Sequence, residues 1–466
     1  MDRQPRSVLI IGSGVFGLGT AWALAKRPVF ADTAITVIDC GDGRFPPPDS
    51  ASVDSSRIVR ADYADSDYTA LATAAQAQWR KQGDDDVGGQ GRYSESGLVL
   101  TADRPGATGV RPWDYVQKSH ENVVAYAANN GYPADRIRTL ASQDAISKHL
   151  GTGGRAGDWG YLNTLSGWAD AEKGMKWLYE RVKATGRVEF VDAKVSRLET
   201  RGDRVVGARL ADDNVLEGDI VLVAAGAWTG ELIDLRGRAE ATGHVLGYID
   251  LTDEEFSIMA KQPAVFHMTS GLFIIPPGGK ELKAARHDFG YVNPQLVHDA
   301  LPLSPSSKRE PIVISRPATT RDGGGGGGFP AEADADLRRA FKCLAPVEGL
   351  ESRPWTRTRI CWYSDTKDGH WLVDWHPGWK GLFIATGDSG HGFKFLPVLG
   401  EKVVDCLLGE GGDLGLKWRW REVENADEGR EVNGTFNRLE TRDSSRGGAG
   451  GMVLEEELRK TSSGSG

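Results

Sequence analysis

The stretch VLIIGSGVFG, residues 8–17, decides the fold class of this chain. A short apolar run rich in β-branched residues leads directly into a glycine turn, and residues 18–24 continue with the apolar spacing of a helix. The order strand, glycine turn, helix is typical of a dinucleotide-binding unit. Gly12 allows the tight turn, Gly14 lets the backbone approach a pyrophosphate, and Gly17 lets the helix pack on the strand. The pyrophosphate is then expected at the helix N-terminus.

A second apolar segment supports this interpretation. Residues 34–38 form a predicted strand that ends in Asp39, at about the 20-residue spacing expected for a carboxylate that binds a ribose. A glycine turn alone would also suit an ordinary α/β domain, but that alternative gives no role to Asp39. The sequence therefore predicts an α/β fold with a dinucleotide site.

Composition limits the class of protein. The chain has 466 residues, of which 39% are hydrophobic, so it is long enough for two domains with proper cores. A formal net charge of −9 argues against a nucleic-acid partner. No segment has the length and apolar character of a membrane span, and residues 8–24 lack the features of a signal peptide. We therefore expect an intracellular protein without a membrane partner.

The cysteines predict no metal site. The four of them have neither metal-type spacing nor the density of a disulfide scaffold. They are Cys40, Cys343, Cys361 and Cys406.

A second glycine-rich loop lies towards the C-terminus. The apolar residues 381–385 lead into GDSGHGFK, residues 387–394, which combines three further glycines with a lysine. Here the backbone can approach a flat ligand and a cation can lie beside it. Residues 219–229 form another apolar run that ends in small residues, where a loop can lie against a nucleotide, although a simple packing turn would look the same.

Together these motifs resemble the flavin amine oxidases of the sarcosine oxidase and fructosyl amino acid oxidase group. The resemblance runs from about residue 8 to residue 421, and several motifs in the same order make it more specific than the glycine turn alone. The fungal members, which act on fructosyl amino acids, saccharopine or pipecolate, are the most similar. The motifs are residues 12–17, 56–60, 167–169, 224–228, 361–363 with Thr366, 387–394 and 418–421.

The resemblance implies a Rossmann-like FAD-binding domain and a second, mixed-sheet α+β substrate domain. The FAD-binding domain is expected to comprise residues 1–85, 151–240 and 346–421, and the substrate domain residues 86–150 and 241–345. The six glycines of residues 323–328 predict a flexible surface loop. Residues 422–466 are charged and rich in glycine and serine, which predicts a weakly ordered tail.

The implied cofactor is FAD, attached through a thioether to Cys361. A thiolate is the nucleophile suited to such a bond, although a buried structural cysteine is the plain alternative. Cofactor contacts are expected from Gly12, Gly14, Val15, Phe16, Gly17, Asp39, Ser56, Arg57, Val195, Ala225, Gly226, Trp228, Cys361, Asp388, Gly390, Gly392, Phe393 and Lys394.

The resemblance also implies catalytic residues beside the flavin. Lys283 lies where the family keeps a lysine that assists the reaction with O2, although Lys280 is close enough in sequence to leave the choice open. Arg57 is expected near the flavin ring. The fructosyl oxidases usually carry a lysine at that position, which makes a sugar-bearing substrate less expected.

Substrate recognition is implied at two further pairs of positions. Arg60 and Lys394 lie where sarcosine oxidases place the two cations that bind the substrate carboxylate. His287 and Tyr363 match positions that line the amine pocket, with ordinary core packing as the alternative for both.

The implied function is a flavin-dependent oxidase of secondary amines, meaning N-substituted or cyclic α-amino acids. Hydride passes from the α-carbon to FAD, an imine results, and O2 is reduced to H2O2. Four alternatives stay open: cyclisation of the imine in a biosynthetic pathway, a deglycating fructosyl amino acid oxidase, a nicotinamide-dependent dehydrogenase, and a non-catalytic flavoprotein.

The expected partners are a small amine and O2, and the protein is expected to be a monomer. Because residues 462–466 carry no Ser-Lys-Leu ending, cytoplasmic residence is expected, or peroxisomal residence if the natural C-terminus differs.

Overall fold

The structure is a computed structural model that describes residues 4–106, 112–319 and 329–463. The glycine tract at residues 323–328, predicted as a flexible loop, lies outside the described residues.

The strands are β1 Ser7–Ile11, β2 Ala34–Asp39, β3 Arg57–Val59, β4 Tyr93–Ser94, β5 Leu98–Ala102, β6 Ile137–Leu140, β7 Trp159–Asn163, β8 Gly167–Ala169, β9 Val188–Asp192, β10 Val195–Arg201, β11 Arg204–Leu210, β12 Val215–Glu217, β13 Ile220–Val223, β14 Glu240–Asp250, β15 Ala264–His267, β16 Leu272–Ile275, β17 Glu281–Arg286, β18 Tyr291–Val292, β19 Pro294–Val297, β20 Ile312–Ser315, β21 Arg357–Asp365, β22 Leu372–Trp375, β23 Leu382–Thr386, β24 Arg430–Val432, β25 Thr435–Asn437 and β26 Met452–Val453.

The helices alternate with these strands along the chain. They are α1 Val15–Lys26, α2 Ser66–Trp79, α3 Pro112–Asn129, α4 Gln143–Leu150, α5 Ala171–Ala184, α6 Thr229–Leu232, α7 Asp253–Met259, α8 Ala331–Leu344, α9 Leu396–Leu407, α10 Gly412–Trp418 and α11 Leu454–Ser463.

The first sheet is Rossmann-like. Its strand order is β22-β23-β13-β1-β2-β9, and every neighbouring pair is parallel except β22 with β23. The apolar strand β1 lies between β13 and β2, with Ile11 opposite both Val223 and Ile38. Strands buried on both faces read as continuous apolar runs, which explains why residues 8–11 and 220–223 were recognisable in the sequence.

Two helices that cover this sheet approach each other closely. Helix α1 packs on α9, and a Cβ at Gly400 would lie 1.9 Å from the carbonyl oxygen of Gly19. Small residues at this crossing therefore set the distance between the two helices. The glycine turn before α1 and the loop before α9 consequently lie on one side of the molecule.

The second sheet is mixed, as expected for the substrate domain. Its order is β26-β18-β14-β17-β16-β15-β5-β7-β6, and β21 pairs with β14 from Glu240 opposite Asp365 to Tyr248 opposite Arg357. Strands β7 and β21 fall in segments that the sequence assigned to the FAD-binding domain. They join the second sheet because their main chains pair with β5 and β14.

Residues 422–463 pack against the rest of the chain, where a weakly ordered tail was expected. Leu439 and Arg446 are buried, and β26 adds to the second sheet beside β18. The Thr441 hydroxyl donates to the carbonyl oxygen of Thr366. Composition misled the expectation here, because a few buried contacts fix a segment that is otherwise polar and glycine-rich.

Within the described ranges, no helix is both long and apolar enough to cross a membrane. The same residues contain no group of three or more histidine, cysteine or acidic side chains arranged to hold a metal ion.

Candidate active site

The three glycines of the first turn have different surroundings. Gly12 has a φ of +104°, and a Cβ there would lie 2.3 Å from the Ala224 carbonyl oxygen. A Cβ at Gly17 would lie 1.9 Å from the carbonyl oxygen of Gly12. Close packing therefore excludes side chains at both positions. By contrast, apart from Gly14 and its two chain neighbours, no described atom lies within 4 Å of a Cβ built on Gly14, which leaves room for a ligand at the backbone.

Helix α1 begins in the same turn without a side-chain cap. Gly14 is the N-cap residue, and the first turn of the helix contains no acidic residue. Its free N–H groups and the positive end of the helix dipole suit an anion. Asp39 fixes the turn, because one carboxylate oxygen accepts from the amide and hydroxyl of Ser13, both at 2.7 Å, and the other accepts from the Cys40 amide at 2.8 Å.

The second glycine loop lies against the start of α1. A Cβ at Gly392 would lie 3.3 Å from the Phe16 ring and 3.6 Å from the Val15 side chain. Asp388 shapes the loop by accepting from the amides of Ser364 and Gly390, each at 3.1 Å. Burial raises the pKa of Asp388 to about 6.

The small residues after β13 lie beside the glycine turn. A short 3-10 turn, Gly226–Trp228, follows the Ala224 carbonyl that touches Gly12. Ala225 and Val195 are half-buried and pack against the apolar cluster that includes Ile11. Phe393 opens a further 3-10 turn that leads into α9.

One group of site residues surrounds Asp54, and we name it the Asp54 cluster: Asp54, Arg57, Tyr248, Lys283 and Cys361. The Lys283 ammonium donates to the Asp54 carboxylate at 2.8 Å and to the carbonyl oxygen of Ser56. Arg57 pairs with the same carboxylate and donates to the Cys361 sulfur at 3.4 Å. The Tyr248 hydroxyl donates to the other oxygen of Asp54 at 2.9 Å.

Strands hold most of this cluster in place. Lys283 lies on β17, Tyr248 on β14 and Cys361 on β21, which are neighbours in the second sheet. Burial, followed by the charge of Arg57, holds the pKa of Lys283 well below its usual value. The alternative Lys280 is exposed and pairs with Asp253, whereas Lys283 is buried in the Asp54 cluster.

A second group surrounds Tyr63, and we name it the Tyr63 cluster: Arg60, Tyr63, His391 and Lys394. The Lys394 ammonium donates to the Tyr63 hydroxyl at 2.8 Å and to the carbonyl oxygen of His391 at 2.9 Å. The Arg60 guanidinium carbon lies 4.8 Å from the centre of the Tyr63 ring. The Tyr63 hydroxyl also lies 3.2 Å from Nδ1 of His391.

The two cations of the Tyr63 cluster are buried, and neither forms an ion pair with a carboxylate in the described part of the chain. Nη1 of Arg60 has no hydrogen-bond partner there. Asp62, the neighbouring acidic residue, accepts from Asn163 and Ser166, and it acts on Arg60 and Lys394 through its charge without an ion-pair contact. Burial, followed by the charge of Arg60, holds the pKa of Lys394 well below its usual value.

Tyr363 and His287 lie near each other, with ring centres 5.8 Å apart. Tyr363 stacks on His244 at 3.9 Å and abuts Gly390, where a Cβ would lie 2.3 Å from the ring. Burial, followed by the charge of Arg446, holds the pKa of His287 well below its usual value. These surroundings favour the neutral form of the His287 imidazole.

Arg446 reaches this place from the C-terminal segment. Its guanidinium lies 2.8 Å from Nδ1 of His287, pairs with Asp365 and donates to the carbonyl oxygen of Ser389 at 3.0 Å. Sequence reasoning missed Arg446 because it lies in a segment dismissed on composition. It also passed over the roles of Asp54 and Tyr63, which stand in the polar segment of residues 52–68 without a motif of their own.

Comparison with known proteins agrees with this geometry. The profile of the family described as FAD dependent oxidoreductase matches residues 7–406. The chain belongs to this family. It is 30% identical over 474 residues to the amino acid oxidase imqH of Aspergillus flavus, covering 90% of this chain and 96% of that protein. It is 30% identical over 442 residues to L-saccharopine oxidase of Schizosaccharomyces pombe, covering 91% and 95%.

A solved structure supports the same assignment. Amadoriase I of Aspergillus fumigatus, a fructosyl amine:oxygen oxidoreductase, matches with a TM-score of 0.72 at 25% identity over 90% of each chain. The predicted fold class and FAD dependence are confirmed. The predicted resemblance to fungal amine and amino acid oxidases is confirmed as well.

The residues present fit FAD. The open space at Gly14 and the uncapped N-terminus of α1 suit a diphosphate. At the other end, Cys361 is buried beside Arg57 and Lys283, so a thiol and two cations converge on one place.

Proposed function

We propose that this protein is a flavin-dependent oxidase of secondary amines whose substrates carry an α-carboxylate. The observation that carries the proposal is the Tyr63 cluster, in which two buried cations have no carboxylate partner among the described residues. Buried charges are costly unless they are paired. A substrate carboxylate supplies the missing charge, with Arg60 as a planar donor and Lys394 as a point charge.

The surrounding charges favour a neutral substrate amine. Arg446 and Arg60 both contribute to the lowered pKa of His287. A positive field that disfavours a protonated imidazole also disfavours a protonated amine in the same place. An amine bound near His287 and Tyr363 therefore loses its proton more readily than in water, and only the neutral amine can release hydride from its α-carbon.

The proposed cofactor site joins the glycine turn to the Asp54 cluster. Bound FAD supplies the hydride acceptor and the path of electrons to O2. The turn of residues 12–17, Asp39 and the loop of residues 387–394 hold it, and Cys361 attaches it through a thioether. Arg57 orients the reactive ring, and Lys283 places a positive charge where O2 becomes reduced.

The relatives support an amino acid substrate. One is an amino acid oxidase and another an L-saccharopine oxidase, each aligned over more than nine-tenths of its own length. Amadoriase I makes fructosyl amino acids the second candidate substrates. Arg57 stands where fructosyl oxidases usually carry a lysine, so we rank them below simple N-substituted or cyclic amino acids.

A peroxide assay with matched substrate pairs tests the proposal. Sarcosine, pipecolate and proline are compared with dimethylamine, piperidine and pyrrolidine, which lack the carboxylate. Saccharopine and a fructosyl amino acid complete the panel. We expect a yellow protein that releases H2O2 with at least one carboxylate-bearing amine. It should react poorly with the analogue of that amine that lacks the carboxylate. A colourless protein, or a carboxylate-free amine as the best substrate, contradicts the proposal.

We further propose a monomer that resides in the cytoplasm and needs only its small substrate and O2 as partners. Light scattering measures the mass, and fluorescence of a tagged full-length gene product measures the location. Peroxisomal fluorescence would contradict cytoplasmic residence, and a dimeric mass would contradict the monomer.

A further inference from the structure

We propose that Asp54 is a positioning residue for the reaction with O2, because its carboxylate holds Lys283 and Arg57 together and keeps the lysine charged. The inference rests on the proposed function, which gives Lys283 its role towards O2. It adds a residue that carries no recognisable motif in the sequence.

The hydrogen bonds of Asp54 occupy both of its oxygens. Oδ1 accepts from the Tyr248 hydroxyl at 2.9 Å and from the Ser55 amide at 2.7 Å. Oδ2 accepts from Lys283 at 2.8 Å and pairs with Arg57. The Asp54 side chain has no exposed surface. Donors on several sides fix the carboxylate, and the carboxylate in turn fixes the two cations.

Asp54 is also the only carboxylate paired with Lys283 among the residues that the structure describes. The other groups that act on the lysine are the thiol of Cys361 and three arginines, Arg57 on β3 and Arg357 and Arg359 on β21. Arg357 has its own partner, Glu281, at 2.6 Å, and Arg359 donates to the carbonyl oxygens of Val53 and Ser50. Removing the charge of Asp54 therefore leaves a buried lysine among cations.

The sharpest test replaces Asp54 by asparagine, which keeps the shape and removes the charge. The flavin is first reduced by substrate without oxygen, and the reduced protein is then mixed with O2. In Asp54→Asn we expect reoxidation to slow by about tenfold or more near neutral pH, because the lysine there loses its proton. The rate of anaerobic reduction should fall much less than the rate of reoxidation, since the proposed substrate contacts lie in the Tyr63 cluster and Arg57 keeps its hydrogen bonds to the carbonyl oxygens of Ser56 and Ala51.

The pH dependence separates this role from general damage. The charged lysine is the form present below its pKa, so reoxidation slows as the pH rises through that value. Loss of Asp54 lowers the value further, and the decline in Asp54→Asn should therefore begin about one pH unit or more below that of wild type. Lowering the pH should restore much of the rate. Glu199→Gln, which removes a partly buried carboxylate of β10 that pairs with Arg209 and does not act on Lys283, serves as the matched control and should keep the wild-type profile.

A second measurement needs no turnover. In Asp54→Asn the folded pKa of Lys283 lies further below its unfolded value, so the unfolded state binds more protons between the two values. The free energy of unfolding should then rise with pH more steeply than in wild type over the range between the folded pKa of Lys283 in the variant and its folded pKa in wild type. Adding Lys283→Met should abolish the extra slope. Denaturant unfolding across this range measures it.

The outcomes distinguish the inference from the proposed function. If Asp54→Asn reoxidises at the wild-type rate with an unshifted pH profile, or shows no extra slope in stability, Asp54 has no such role. If no amine reduces the wild-type flavin, or O2 yields no peroxide, the proposed function fails instead. The stability measurement still decides whether Asp54 keeps Lys283 charged.

Discussion

The Asp54 and Tyr63 clusters each hold two cations, but only the first contains a carboxylate. In the Asp54 cluster, Lys283 and Arg57 share one fully buried acidic side chain. In the Tyr63 cluster, Lys394 and Arg60 meet a phenol hydroxyl and an aromatic ring. An unpaired buried charge is destabilising, so we propose that the second cluster receives an anion from outside, whereas the first has its carboxylate within the protein.

The two clusters also differ in how the backbone carries them. Lys283, Tyr248 and Cys361 lie on adjacent strands of the second sheet. Arg60 and Tyr63 follow the short strand β3, and Lys394 lies in the turn before α9. Groups on strands are held more rigidly than groups on loops. The completed cluster is thus suited to a fixed cofactor, and the incomplete one to a substrate that comes and goes.

The largest expected effect tests the proposed attachment of the cofactor at the Asp54 cluster. Replacing Cys361 by serine should abolish retention of flavin through acid denaturation, because a hydroxyl does not form the thioether. The measurement is the colour and absorbance of the denatured pellet. Cys406→Ser is the matched control, since this half-buried thiol on α9 lies outside both clusters, and it should leave a yellow pellet. A colourless wild-type pellet, or a yellow one from Cys361→Ser, removes the thioether assignment.

The next largest effect tests the proposed binding of the substrate carboxylate at the Tyr63 cluster. Replacing Arg60 or Lys394 by alanine removes one of the cations proposed to bind the substrate carboxylate. Each change should cost roughly 2–5 kcal/mol, about 30- to 5,000-fold in kcat/KM, because the remaining charges are left buried with a poorer partner. Steady-state peroxide kinetics measure the loss.

Two controls make this result specific. Lys402→Ala removes a half-exposed lysine of α9 and should leave kcat/KM unchanged. The carboxylate-free analogue should lose much less than the amino acid when Arg60 or Lys394 is replaced. Equal losses on both substrates would show that the two cations support the fold and do not bind the carboxylate.

The sequence predicted the strands of the first sheet better than it predicted the packing of residues 422–463. The apolar strands of the first sheet and the glycine turn could be recognised because parallel buried strands are continuous apolar runs and the turn needs glycine at fixed positions. Strands β7 and β21 were placed in the wrong part of the fold, since pairing partners far away in sequence decide which sheet a strand joins. The buried position of Arg446 follows from tertiary contacts that composition does not encode.

The candidate site divides in the same way. The structure brings Arg57, Lys283 and Cys361 together, and it brings Arg60 to Lys394, as the motif positions suggested. Their roles towards FAD and substrate stay predictions. Asp54 could not be singled out, because one aspartate in a polar segment resembles any other until burial and partners are known.

A smaller effect concerns pH and the lysine of the incomplete cluster. Because the pKa of Lys394 lies well below its usual value, its charge is lost as the pH rises through that lowered value, and carboxylate binding should weaken there. Cyclohexanecarboxylate, which lacks the amine of pipecolate, avoids titration of the ligand. Its inhibition constant should rise at high pH for wild type and stay flatter for Lys394→Arg, because arginine keeps its charge. Equal pH profiles would exclude titration of Lys394.

The smallest expected effect comes from removing the Tyr63 hydroxyl, which accepts from Lys394 while the Tyr63 ring lies beside Arg60. In Tyr63→Phe the ring beside Arg60 remains, but Lys394 loses the acceptor at 2.8 Å and keeps the carbonyl oxygen of His391. The loss should be about 0.5–1.5 kcal/mol, about 2- to 12-fold, and it should appear in KM with kcat little changed, because the carboxylate is bound equally before and during the reaction. In the background of Lys394→Ala the same change should have almost no effect, since the hydroxyl acts through the lysine. Additive losses in the double variant would mean that the hydroxyl contacts the substrate itself. The Tyr63 cluster would then bind the carboxylate with three polar groups, namely Arg60, Lys394 and the Tyr63 hydroxyl.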